Sequence, residues 1–130
     1  MKPALLLLVP LALAGCVTVY PPDEPDGASA LVDARLGQTV TVGGPRVTPL
    51  AVVEDSRCPA GVQCVWAGRV RLSVRIATGS GTTMREMTSG MPLAVADGAL
   101  TLVEVRPLRR RDSAPAPADY RFGFRFDGGL

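Results

Sequence analysis

The sequence predicts an all-β domain, a small antiparallel β-sandwich or barrel-like fold. The first observation is period-two alternation of apolar and polar residues. Over residues 68–76, Val70, Leu72, Val74 and Ile76 fall on one face and Arg69, Arg71, Ser73 and Arg75 on the other. Successive side chains of a strand point to opposite sides, so such a segment has one buried face and one wet face. The second is that the segments are separated by glycine and proline turns, as in antiparallel sandwiches and barrels. The third is negative: no helical period survives beyond the first fifteen residues.

The chain opens MKPALLLLVPLALAGC, with the cation Lys2 ahead of an apolar run over residues 4–14. A bilayer-spanning helix takes about 20 apolar residues, so this run is too short to cross. A positive start followed by a short apolar run is the layout of an export signal. The run ends in Leu13-Ala14-Gly15-Cys16, which resembles the lipobox of bacterial lipoproteins. That resemblance implies a signal peptide over residues 1–15, acylation of the Cys16 thiol and attachment to a membrane through the lipid. Two or more acyl chains hold such an anchor firmly, at about 0.8 kcal/mol per buried methylene. Val17 follows the cysteine where an inner-membrane retention signal carries aspartate. Similarity to sorted lipoproteins therefore implies the outer membrane of a Gram-negative cell, facing the periplasm.

Residues 16–30 read as a flexible tether, with Pro21, Pro22 and Pro25 among Asp23, Glu24 and Asp26 and no apolar period. The β-domain then occupies residues 31–130, enough for one core. Its candidate strands follow in order. Residues 39–42 alternate and stop at Gly43-Gly44, and residues 47–54 are apolar on both faces, as in a central strand with an irregular start at Pro49. Residues 68–76 lead through Gly79-Ser80-Gly81 into residues 82–88, a hairpin. Residues 99–108 follow Asp97-Gly98. In the last strand Tyr120, Phe122, Phe124 and Phe126 share a face and supply much of the core.

The chain has three cysteines. An odd count in an exported chain needs an explanation. With Cys16 acylated, Cys58 and Cys64 remain as a pair in a compartment that permits disulfides. Their bond closes the loop Pro-Ala-Gly-Val-Gln, in which Pro59 and Gly61 favour a turn. The spacing is not that of a C-x-x-C redox catalyst, and no histidine or lysine lies nearby to lower a thiol pKa. Trp66 follows where it can pack beside the disulfide. Asp55 and Ser56 suit local backbone capping, and Arg57 either pairs with Asp55 or stands free.

Asp55-Ser56-Arg57-Cys58-Pro59, four further residues, then Cys64-Val65-Trp66-Ala67-Gly68 is similar to a motif of small exported bacterial domains and lipoproteins, a family of unassigned function. Asp119-Tyr120-Arg121 ahead of the final strand is similar to the same group. The resemblance extends over residues 36–126. It implies the fold and the exported location, and brings no reaction, ligand or catalytic residue.

Composition narrows the chemistry further. There is no histidine, and the only lysine is Lys2. Ser-His and Cys-His pairs, a Ser-Lys dyad and Schiff-base lysines are thereby excluded, as are the usual histidine zinc sites. Glu54 and Asp55 are adjacent on a strand and face opposite ways, so they do not cooperate across one substrate. The expectation is a chain that is not an enzyme and uses no cofactor. The net charge of +2 includes Lys2, so the mature chain is near neutral. Arg109-Arg110-Arg111 has no aromatic platform beside it and reads as a solvated loop, not a nucleic-acid site. The stapled loop is the candidate recognition site, with Asp55, Arg57, Gln63 and Trp66 offered to an envelope protein or a cell-wall component. A rigid loop with exposed Arg57 and Gln63 meets such a partner at low entropic cost. The alternative is periplasmic soft-metal (copper) handling through the cysteines and Met84, Met87 and Met91, since thioether sulfur suits Cu(I). Strand alternation sets Met84 and Met87 on opposite faces, however.

Overall fold

The computed structural model describes residue 10, residues 14–18 and residues 30–128. The expected signal peptide and tether, apart from those few positions, lie outside the described residues. Among the described residues no helix is long and apolar enough to cross a membrane.

Among the described residues eight strands form two antiparallel four-stranded sheets. They are β1 (Val32–Ala34), β2 (Val40–Thr41), β3 (Arg46–Asp55), β4 (Val70–Thr78), β5 (Gly81–Thr88), β6 (Leu93–Val95), β7 (Gly98–Arg106) and β8 (Arg121–Gly128). One sheet has the order β1-β8-β7-β6 and the other β2-β3-β4-β5. Followed around the molecule, the strands run in chain order and return from β8 to β1. That is the order of an up-and-down barrel opened along two seams, which is why a sandwich and a barrel were both legible in the strand pattern.

The core lies between the sheets and is built as alternation requires. Val70, Leu72, Val74 and Ile76 of β4 face Phe122, Phe124 and Phe126 of β8 across a layer completed by Val47, Met87, Leu100 and Leu102. The Tyr120 and Phe122 rings stack with centroids 5.5 Å apart, so the aromatic row continues past the start of β8. On the outer face of β4, Arg71 holds Glu86 of β5, with Nε–Oε1 at 2.6 Å, and Arg69 reaches Glu54 at 3.2 Å.

The irregular start expected at Pro49 is present. Proline has no amide hydrogen for the ladder, and the β3–β4 register shifts immediately after it, between Pro49 and Ala51. A second shift falls between Val52 and Glu54, just before β3 reaches the stapled loop. Two strands, β1 and β6, were not singled out by alternation. Three residues each are too few to display a period, and their place is fixed by long-range pairing with β8 and β7.

Candidate functional site

β3 and β7 end, and β4 and β8 begin, at the same end of the sandwich, where Asp55 pairs with Val70 and Arg106 with Arg121. The two long connections, residues 56–69 from one sheet and residues 107–120 from the other, therefore meet there. The stapled loop is the first of them. The Ala60 amide donates to the Arg109 carbonyl at 3.0 Å, joining the connections directly.

The base of the loop is closed by Ser56. Its amide donates to the Arg69 carbonyl at 2.8 Å, and its hydroxyl accepts from the Arg69 amide at 3.0 Å. This close approach leaves no room for a side chain at Gly68, where an added Cβ would lie 1.9 Å from the Ser56 carbonyl oxygen and φ is +68°. At the tip, the Val62 amide donates to the Pro59 carbonyl at 3.2 Å, and Gly61 at φ +77° occupies the position where a type II turn demands positive φ. Cys58 and Cys64 are bonded, with Cα atoms 5.9 Å apart.

Asp55, at the end of β3, is the electrostatic centre. Arg57 Nε and Nη2 donate to its two carboxylate oxygens, each at 2.8 Å, and the Tyr120 hydroxyl donates to Oδ2 at 2.8 Å. Arg57 Nη1 donates across to the Val105 and Pro107 carbonyls at 2.8 and 3.0 Å. One guanidinium thus ties the stapled loop to β3 and to the β7–β8 connection. Burial pushes the Asp55 carboxyl up, but the hydrogen bonds from Arg57 and Tyr120 outweigh it and hold the group below its ordinary 3.8. Burial first, and then the carboxylate that its hydroxyl meets, push Tyr120 up to about 12. Glu54 faces the other way, to Arg69 and Arg71, so the adjacent carboxylates belong to separate networks.

These positions correct the expectation for Arg57. It is not an exposed contact residue: its side chain is 17% accessible and that of Asp55 is 5%. Of the two alternatives open to Arg57, the fold takes the pair. The physical reason is that the end of β7 and the connection after it present the Val105 and Pro107 carbonyls to Arg57, and a guanidinium has enough donors for them and for the carboxylate together. Arg109 also departs from a simple solvated loop, since it is half-buried and Nη1 approaches the Arg57 carbonyl at 3.4 Å, while Arg110 and Arg111 are exposed. Trp66 does lie near the disulfide but is not packed away: it is 72% exposed, and Val65 is 95% exposed. Gln63 is exposed as expected. Tyr120 is the participant that sequence reasoning used only as core, and the Asp119-Tyr120-Arg121 resemblance was its one signal.

Between the loop and Arg109 runs an open groove of about 500 Å³, bordered by Cys58, Pro59, Gln63, Cys64, Val65 and Trp66. Its rim offers an indole, an amide and an apolar side chain. Among the described residues no group of three or more histidine, cysteine, aspartate or glutamate side chains is placed to hold a metal ion. The sulfur atoms considered for copper are dispersed: Cys58 and Cys64 are bonded to each other, Met87 is in the core, and Met84 and Met91 are exposed.

Removal of the staple has a calculable effect. Reduction of Cys58–Cys64 is expected to lower stability by about 2 kcal/mol, the loop-closure value for so short a ring. The melting midpoint of a domain this size should fall by about 10 °C. Calorimetry with and without reductant reads it directly, and an unchanged midpoint would show that the ring adds nothing to the other ties of the loop.

The fold and the corner define a small all-β sandwich with one disulfide-stapled, charge-locked loop. No protein-family model matches the chain, and neither a curated protein nor a solved structure matches it.

Proposed function

We propose that the chain is a lipid-anchored, non-catalytic envelope protein, held at the outer membrane through Cys16 and facing the periplasm. Its stapled corner serves as a recognition surface for another envelope component, a protein or part of the cell wall. The observation that carries this reading is a division of labour within the motif. Asp55, Ser56, Arg57, Cys58, Cys64 and Gly68 are all consumed in building the corner. Trp66 is a large motif side chain with no such task, and it stands exposed on the groove rim with Val65 and Gln63. An exposed tryptophan on a rigid turn is a strong contact former, because it brings area with little entropy to lose. The direction of β1 supports the same reading. Ala34 pairs with Phe122 and Val32 with Phe124, so β1 runs toward the corner and the chain enters it from the other side. An anchor joined there attaches at the end of the domain opposite the corner and leaves the corner free of the attachment point.

Cross-linking and capture from intact envelopes tests the proposal. Trp66→Ala and Gln63→Ala are expected to change the folding stability by no more than about 0.5 kcal/mol, the usual range for exposed positions. Capture of the partner should fall at least tenfold for Trp66→Ala. Undiminished capture by both variants would remove the corner from the function. Mass spectrometry of the mature N-terminus should show acylated Cys16, and a soluble product starting elsewhere would overturn the anchor.

A further inference from the structure

Four strands border the two sheets, and three are too short to accept a partner. β1 and β6 have three residues each and β2 has two. The fourth, β5, has eight residues, no proline and an unbroken register with β4, and among the described residues it pairs with no other strand. A long, regular edge is a template for another strand, and folded proteins ordinarily blunt it.

The backbone geometry shows which groups are open. The β4–β5 hairpin is closed by Gly79 and Ser80, with Thr78 opposite Gly81. In a hairpin closed by two residues the flanking pair exchanges both hydrogen bonds, and bonded and non-bonded pairs then alternate. Thr83, Arg85 and Met87 therefore spend their backbone groups on β4, while Thr82, Met84 and Glu86 turn theirs to the open edge. Among the described residues no further backbone hydrogen bond reaches residues 81–87. Met84, at the middle of this stretch, is 64% exposed.

We infer that β5 is an interface to a second copy of this chain, paired antiparallel about a two-fold axis beside Met84. An axis perpendicular to the sheet keeps each face on its own side, so only residues of equal parity can oppose each other. Centred on Met84, the pairing uses residues 81–87 of both copies. Met84 opposes its counterpart, Thr82 opposes Glu86, and Thr83 opposes Arg85. The two exposed thioethers cover each other and no like charges stand directly opposite, the two Arg85 side chains being diagonal neighbours. Other registers are worse. Moving the axis by one residue toward the C-terminal end of β5 sets Arg85 against Arg85, and by two residues Glu86 against Glu86. Moving it toward the turn by one residue carries Glu86 opposite Ser80, beyond the strand. Arg85 and Glu86 are the charges that would otherwise blunt this edge, and in the Met84-centred register each faces a threonine. The result is a continuous eight-stranded sheet, independent of the role assigned to the stapled corner.

Cysteine cross-linking of the full chain in intact envelopes tests the register. Opposed residues of a bonded pair have Cα atoms about 5.5 Å apart, within disulfide reach. Under mild oxidation Met84→Cys is expected to convert mostly to a covalent dimer, at least fivefold more than Arg85→Cys or Thr82→Cys alone. Thr82→Cys co-expressed with Glu86→Cys should cross-link where neither does by itself. Met84→Asp should halve the sedimenting mass with an unchanged circular dichroism spectrum. Monomeric Met84→Cys with a wild-type spectrum would overturn the inference, as would equal cross-linking at all positions. An adduct of Met84→Cys with a different protein would overturn the second copy in favour of a foreign strand.

Discussion

Replacing Phe124 by alanine is expected to destabilise the domain by about 3–5 kcal/mol, the range for deleting a fully buried aromatic side chain. Phe124 has no accessible surface, and its backbone lies between Val32 of β1 and Leu102 of β7. The cavity would open in the middle of the aromatic row, where Phe122 on one side and Phe126 on the other are also buried. Two rigid sheets collapse onto such a gap poorly, so the transfer and cavity terms add. Urea denaturation reads the effect as a lower midpoint at unchanged slope. A cost below about 1 kcal/mol would mean that Phe124 is not buried as described.

Removing the Asp55 carboxylate is expected to be nearly as severe. Asp55→Ala leaves a mostly buried guanidinium without its counter-ion and the Tyr120 hydroxyl without its acceptor. Breaking one side of a buried pair costs about 3–5 kcal/mol, and the partial exposure of Arg57 places this one at about 3. Arg57→Ala removes the same pair together with the ties to Val105 and Pro107. The double variant should therefore cost less than the two single variants summed, with a coupling above about 1 kcal/mol. Additive losses would dissolve the network into independent contacts. The pH dependence has a definite sign. The folded-state pKa of Asp55 is depressed, so its contribution is present above 3.8 and lost as pH falls through the folded value. Tyr120 is shifted the other way. Its contribution is full below its ordinary 10.0 and is lost as pH rises toward about 12. Asp55→Asn should flatten the acid limb and bring the Tyr120 titration down, which phenolate absorbance in a Tyr20→Phe background follows.

Period-two alternation sufficed for the interior of the sandwich because it is a local property. Val70, Leu72, Val74 and Ile76 need only be on one strand to share a face, and the same holds for Phe122, Phe124 and Phe126. Glycine and proline marked the turns for equally local reasons, and the cysteine spacing made a short ring at Cys58–Cys64 readable. The strand pairing between β1 and β8 was not readable, because three residues carry no period and their partner lies some ninety positions away. The fate of Arg57 was undecidable for the same reason. Pairing with Asp55, two residues back, was one of two local possibilities. The carbonyls of Val105 and Pro107 that decide between them arrive only when the two sheets stack. The exposure of Trp66 likewise depends on how the β3–β4 connection docks against Arg109. By itself the sequence determined an all-β domain, its two best strands, its core face and its stapled ring, since each follows from neighbours in the chain. Only the tertiary structure decided which charged residue is locked in the corner, which aromatic is left on the rim and which edge remains open, because each depends on groups brought together from distant strands.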